Sequence, residues 1–127
     1  MKTSWHKPPA VPIRHEFVEL IPERLAERTL YISISYASAA HLCFCGCGSK
    51  VVTPIHPTGW ELLFDGDSVS LSPSIGNWGF RCRSHYFVVR DRVIWARPMS
   101  QPEIAAGRGK DQRFTDLYFS KTLSNDD

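Results

Sequence analysis

Residues His41 to Gly48 read His-Leu-Cys-Phe-Cys-Gly-Cys-Gly and hold three of the four cysteines in the chain. The fourth opens Cys82-Arg83-Ser84-His85, a C-x-x-H pair. No other feature restricts the fold as strongly. Soft thiolates gathered beside an imidazole suit a tetrahedral zinc site or an iron–sulfur cluster. Ordinary buried thiols are the plain alternative, since free cysteine packs well in cores. Three cysteines in alternate positions with a distant C-x-x-H favour the metal. Five residues then compete for four places. Cys45, Cys47, Cys82 and His85 form the preferred set, because Cys45-Gly46-Cys47-Gly48 looks most like a ligand knuckle. Cys43 is the spare, and His41 is a supporting group behind the ligands.

A chain of 127 residues makes one domain with a real hydrophobic core. The formal charge of +2 lacks the dense basic face of a dedicated nucleic-acid binder. Arg81, Arg83, Arg90, Arg92 and Arg97 read as a solvated strand face before they read as a phosphate track. No apolar run approaches the length of a membrane span, and the N-terminus has no signal-peptide core. A cytoplasmic setting is expected, where clustered cysteines favour metal over disulfides.

Along the chain, residues 1–14 carry three prolines and no hydrophobic period, which predicts an extended, flexible arm free of the domain. Residues 15–97 read as a metal-binding β-domain. Strands are expected at His15 to Ile21, at Leu30 to Tyr36, where apolar residues alternate, and at Val51 to Ile55 beyond the cysteine loop. Pro22 to Glu27 suits one short helical turn. Trp60 to Phe64 and Ser68 to Ser72 flank Asp65-Gly66-Asp67, a strong hairpin signal. A second hairpin is expected from His85 to Val89 and Val93 to Ala96. Residues 98–127 read as a helical segment and tail, with short helices from Ser100 to Ala106 and from Asp111 to Phe119. The expected class is therefore mainly β, a small sheet and hairpin domain with zinc-ribbon-like or Rieske-like metal loops, plus one or two short C-terminal helices.

Zinc held by four protein ligands is closed and structural. An open zinc usually recruits a carboxylate as general base, and neither ligand loop contains one; Glu61 and Asp65, beyond the first loop, are the candidates. This disfavours an enzyme. A Rieske cluster needs C-x-H in its first loop, where this chain has C-x-C. Ligation of a [2Fe–2S] cluster by three cysteines and a histidine is the alternative to zinc, and it brings redox chemistry. Cys82 and His85 as a nucleophile–base pair is the least attractive option. Trp60 and Trp95 fall in strand-like alternation and are expected to pack. Trp78, beside Asn77 in a turn-rich stretch, is the better candidate for binding a partner.

Several segments also resemble a known family. They are Phe17-Val18-Glu19 with Ile21-Pro22, Leu30-Tyr31-Ile32-Ser33, the cysteine run His41 to Gly48, Ser70-Leu71-Ser72-Pro73-Ser74-Ile75-Gly76-Asn77-Trp78 and Cys82-Arg83-Ser84-His85-Tyr86. Together they are similar to a family of small bacterial domains of unknown function. Its members are often encoded beside ubiquitin-like modifiers, E1- and E2-like enzymes and a JAB-type metalloprotease. The resemblance covers about residues 15 to 97. It implies a zinc-bearing accessory or adaptor in a ubiquitin-like conjugation pathway, whose protein partner is a ubiquitin-like modifier or an E1/E2-like enzyme.

Overall fold

The computed structural model describes residues 5–97. Nine strands lie within them: β1 (Val11–Pro12), β2 (Arg14–Phe17), β3 (Thr29–Ser33), β4 (Ser38–Leu42), β5 (Lys50–Pro54), β6 (Glu61–Phe64), β7 (Val69–Gly76), β8 (His85–Val88) and β9 (Arg92–Trp95). They form a five-stranded sheet in the order β1-β9-β8-β7-β6 and a four-stranded sheet in the order β2-β3-β4-β5. Only β2 and β3 pair in parallel. The expected β class holds, and the described residues contain no helix. The two expected C-terminal helices lie outside the described residues. Pro22 to Glu27 forms bends and a turn instead of a helical turn.

Alternation places the core. β5 buries Val51 and Thr53 and exposes its other residues, while β7 and β8 bury Val69, Leu71, Ile75, Tyr86 and Val88. All of these except Thr53 make one cluster with Leu30, Ile32 and Ala39, to which both sheets contribute. Both expected hairpins form, β6–β7 around Gly66 and β8–β9 around Arg90 and Asp91. Val11 and Pro12, expected in a free arm, instead pair with Val93 and Arg92 of β9.

The strand expected to run on to Tyr36 stops at Ser33. The chain turns there, with the Ala37 N–H bonded to the Ile34 carbonyl and the Tyr36 N–H to the Ser33 hydroxyl. Ile34 and Tyr36 consequently point to solvent. Within β3 all five residues are buried, against simple alternation. The segment 18–28 covers its second face: Tyr31 Oη accepts from the Ala26 N–H, Ser33 donates to the Glu19 carbonyl, and Thr29 donates to the Glu27 carbonyl. The polar groups of that face are buried but satisfied.

Candidate functional site

Two turns bring the cysteines together. The β4–β5 loop closes through the Cys43 N–H to the Ser49 carbonyl at 2.7 Å and the Gly46 N–H to the Cys43 carbonyl at 3.0 Å. Between β7 and β8 the chain turns through Phe80 N–H to Asn77 carbonyl and Arg83 N–H to Phe80 carbonyl, both 3.1 Å. The Asn77 N–H then reaches the Ser84 carbonyl at 2.8 Å, so the turn returns Cys82 to the first loop. The Sγ atoms of Cys43, Cys45, Cys47 and Cys82 all lie within 4.8 Å of one another.

The donor set fits a tetrahedral metal such as zinc. At a Zn–S bond of about 2.3 Å, tetrahedral geometry separates neighbouring sulfurs by about 3.8 Å. Here Cys43 and Cys82 are 3.8 Å apart, Cys47 and Cys82 3.7 Å, and Cys43 and Cys45 3.3 Å. All four cysteines are free thiols. Burial pushes the Cys43 thiol up, whereas hydrogen bonds from Ser49 pull Cys47 down to about 6. A cation would draw both into the thiolate form.

The gathered group contains Cys43 and excludes His85. His85 opens β8 with its ring on the opposite side of the strand from Tyr86, because neighbouring side chains alternate. Both ring nitrogens are engaged: Nε2 lies 2.8 Å from Ser74 Oγ, and Nδ1 lies 3.1 Å from the Arg97 carbonyl oxygen. A carbonyl only accepts, so Nδ1 carries the proton. The lone pair of Nε2 is then free to accept the Ser74 hydroxyl proton. This serine–imidazole–carbonyl line is the arrangement that activates a nucleophilic hydroxyl.

A bulge presents Ser74. Leu71 pairs with Val88 and Ile75 with Tyr86, so three residues of β7 face one of β8. The extra length carries Ser72, Pro73 and Ser74 away from regular pairing. Trp78 supports the imidazole from the side, with ring centroids 5.0 Å apart at a steep 62°. Its indole occupies the space beside Gly76, where an added Cβ would lie 2.5 Å from Trp78 Nε1. Any side chain at position 76 would displace the tryptophan.

Ser84 and Asn77 link the two sites. The Ser84 hydroxyl lies 3.0 Å from Cys43 Sγ and 3.4 Å from Cys82 Sγ, and it accepts from the Asn77 amide at 2.9 Å. The same amide points at Cys43 Sγ at 3.6 Å and at the Tyr86 phenol at 3.3 Å. Asn77, expected on a partner-binding surface, is therefore buried, and its side chain is committed inside the protein. Trp78 is half-buried against His85. The Tyr86 phenol also meets His41 Nε2 at 2.7 Å. His41 is fully buried and stacked on Phe44 at 4.2 Å. Burial pushes its pKa down to about 3, which keeps the imidazole neutral behind the cysteine loop.

Sequence reasoning missed the pairing of Ser74 with His85. The two are eleven positions apart, and no spacing rule links them. The only signal was a C-x-x-H whose histidine had a second partner available across the hairpin.

A sequence model of a family described as "Bacterial ubiquitination-like system serine protease (BubE)" matches residues 17–96. The chain belongs to this family. The ubiquitin-like setting implied by the sequence resemblance is thus the setting of the family, and it implies protein partners within that system. The family description names a serine protease, where the resemblance implied a zinc-bearing accessory or adaptor and the cysteine motifs a structural metal. Comparison with curated proteins and with solved structures gives no match.

Proposed function

We propose that this chain is a serine hydrolase that cleaves a peptide or isopeptide bond within its ubiquitination-like system. Ser74 is the nucleophile and His85 the general base, with the Arg97 carbonyl fixing the tautomer. The observation that carries this reading is the 2.8 Å contact between Ser74 Oγ and His85 Nε2, aligned with Nδ1 on a carbonyl. The protease named in the family description supports it.

The chemistry follows from the atoms. Ser74 Oγ attacks the carbonyl carbon of the scissile bond while its proton passes to His85 Nε2. The tetrahedral intermediate collapses, the C–N bond breaks, and the departing nitrogen takes that proton from His85. A water then gives its proton to His85 and attacks the ester on Ser74. Collapse returns the proton to Ser74 Oγ and releases the acid. Throughout, Nδ1 keeps its proton and its bond to the Arg97 carbonyl.

Zinc on Cys43, Cys45, Cys47 and Cys82 is the metal this reading assigns. Four thiolates would leave no open position, so a bound ion would tie the two ligand loops together and supply no chemistry to the bond cleaved. The chain's own contribution is to hold Ser84 and Asn77 against the sulfurs, and with them the strand ends that carry His85 and Ser74.

A fluorophosphonate probe tests the assignment. The expected result is a single adduct on Ser74, absent from Ser74→Ala and from His85→Ala. A zinc-loaded, folded protein whose Ser74 resists the probe, and which cleaves no fusion of its own modifier, would return the chain to a non-enzymatic adaptor.

A further inference from the structure

A cleft of about 650 Å³ lies against the bulge that carries Ser74. Its walls include Ile55, Trp60, Leu62 and Pro73, with Ser72 and Glu61 beside them. The volume is in the range of ligand-binding clefts. The wall at 56–60 is a tight turn: the His56 N–H bonds to the Trp60 carbonyl, the Gly59 N–H to the His56 carbonyl, and the Trp60 N–H to the Pro54 carbonyl. An added Cβ on Gly59 would sit 2.6 Å from the Pro54 oxygen, so this close approach of the backbone requires glycine.

Three features narrow the occupant. Ser72 and Pro73 directly precede Ser74, and consecutive Cα atoms are no more than about 3.8 Å apart. A chain lying in the cleft therefore passes within one or two residues of the Ser74 hydroxyl. The walls are largely apolar, which suits a buried hydrocarbon side chain. Glu61 is the sole carboxylate among the lining residues, none of which is lysine or arginine. Glu61 is exposed and pairs with Ser72 across the β6–β7 ladder. That places it opposite the residue two positions before Ser74.

We infer that the cleft is the specificity subsite for an extended peptide segment adjoining the scissile bond. One apolar side chain of that segment seats among Trp60, Leu62 and Pro73. A lysine or arginine two or three positions from the cleaved bond meets Glu61. The inference rests on Ser74 being the nucleophile, and it goes further by naming the substrate chemistry.

The test uses the full zinc-loaded chain with fluorogenic peptides that carry Lys, Gln or Glu two or three positions to either side of the bond. A second set carries Leu or Gly at the neighbouring position. Both kcat/KM and direct binding by calorimetry are read. The expected result is a preference of tenfold or more for Lys over Glu, and for Leu over Gly. Glu61→Lys should reverse the charge preference, and Glu61→Gln should flatten it. A reversed order in binding without any probe adduct on Ser74 would keep the subsite and remove the nucleophile. A labelled Ser74 with the same charge order in the wild type and both variants would overturn the subsite and leave the nucleophile. Equal affinity for every peptide, at any rate of cleavage, would overturn the subsite as well.

Discussion

The sulfur cluster and the Ser74–His85 pair meet at one strand end. Cys82 belongs to the first, His85 to the second, and Ser84 between them touches two sulfurs. The cluster is drawn largely from one short loop, and its four donors face one another. The serine and histidine come from opposite strands of a hairpin, and the serine lies on a bulge of its strand. With a metal bound, the cluster would have cohesion and no reactive position. Under the proposed function, the pair would have a reactive hydroxyl but only a few bonds to fix it. Placing them side by side lets one stabilise the geometry that the other uses, and this arrangement predicts which damage stays local and which spreads.

Damage to the cluster should spread furthest. Structural zinc in small domains has an apparent binding energy of about 10–16 kcal/mol, comparable to the whole stability of a domain. Cys82→Ala, or exhaustive chelation, is expected to abolish the cooperative thermal transition and all hydrolysis together. Circular dichroism melts beside a zinc assay check this. A metal-free protein that melts at the holo temperature would break the proposed dependence of the pair on the cluster. Ser74→Ala should do the reverse. It is expected to lower hydrolysis by about 10³-fold or more while zinc content stays at one per chain and the melting temperature holds. A parallel fall in zinc would show that the cluster depends on the pair as well.

The same contrast explains what could be read from the sequence. Cys43, Cys45 and Cys47 announce a metal loop because their spacing is itself the geometry. The hairpin at Asp65-Gly66-Asp67 was equally legible, because two residues dictate the turn. The choice of ligands was not legible. His85 follows the cysteines in a C-x-x-H frame, and only strand alternation turns its ring away from them. The Ser74–His85 contact was hidden for a related reason. Whether Ser74 faces His85 depends on a register slip between Leu71 and Ile75, and a slip of one residue reverses the direction of every side chain. Asn77 misled in the opposite way. A polar residue beside a tryptophan in a turn reads as surface, yet this turn folds inward onto Cys43.

An intermediate effect is expected at the junction. Ser84→Ala removes the hydroxyl that lies against Cys43 and Cys82 and that receives the Asn77 amide. Groups that orient metal ligands typically cost about 10–100-fold in metal affinity or activity when removed. Both should fall here, with kcat lowered and KM near the wild-type value, because the peptide cleft is untouched. A chelator-competition titration and steady-state kinetics on the same preparation read the two losses. Loss of only one would place Ser84 in one site and not between them.

The smallest effect is expected at the far end of β6 and β7, and it sharpens the comparison by its locality. Asp65 Oδ1 accepts from the Asp67 and Ser68 N–H groups at 2.9 and 2.7 Å, and Oδ2 accepts from the Ser68 hydroxyl at 2.8 Å. Hydrogen bonds from the Ser68 and Asp67 backbone hold this carboxyl down to about 2. Its folded value lies below the unfolded one of about 3.9, so the stabilisation is fully present above the unfolded value. It is lost as pH falls through about 2. The group is exposed, and solvent screens the gain. Asp65→Asn keeps one acceptor oxygen and the turn preference of the residue. The expected outcome is a melting temperature slightly lowered at pH 7, a difference that shrinks as pH falls towards about 2 and vanishes only below it, and unchanged zinc content and probe labelling at neutral pH. A change in labelling of Ser74 from this turn would mean that β7 transmits strain along its length, and the bulge would then be a hinge and not a fixed platform.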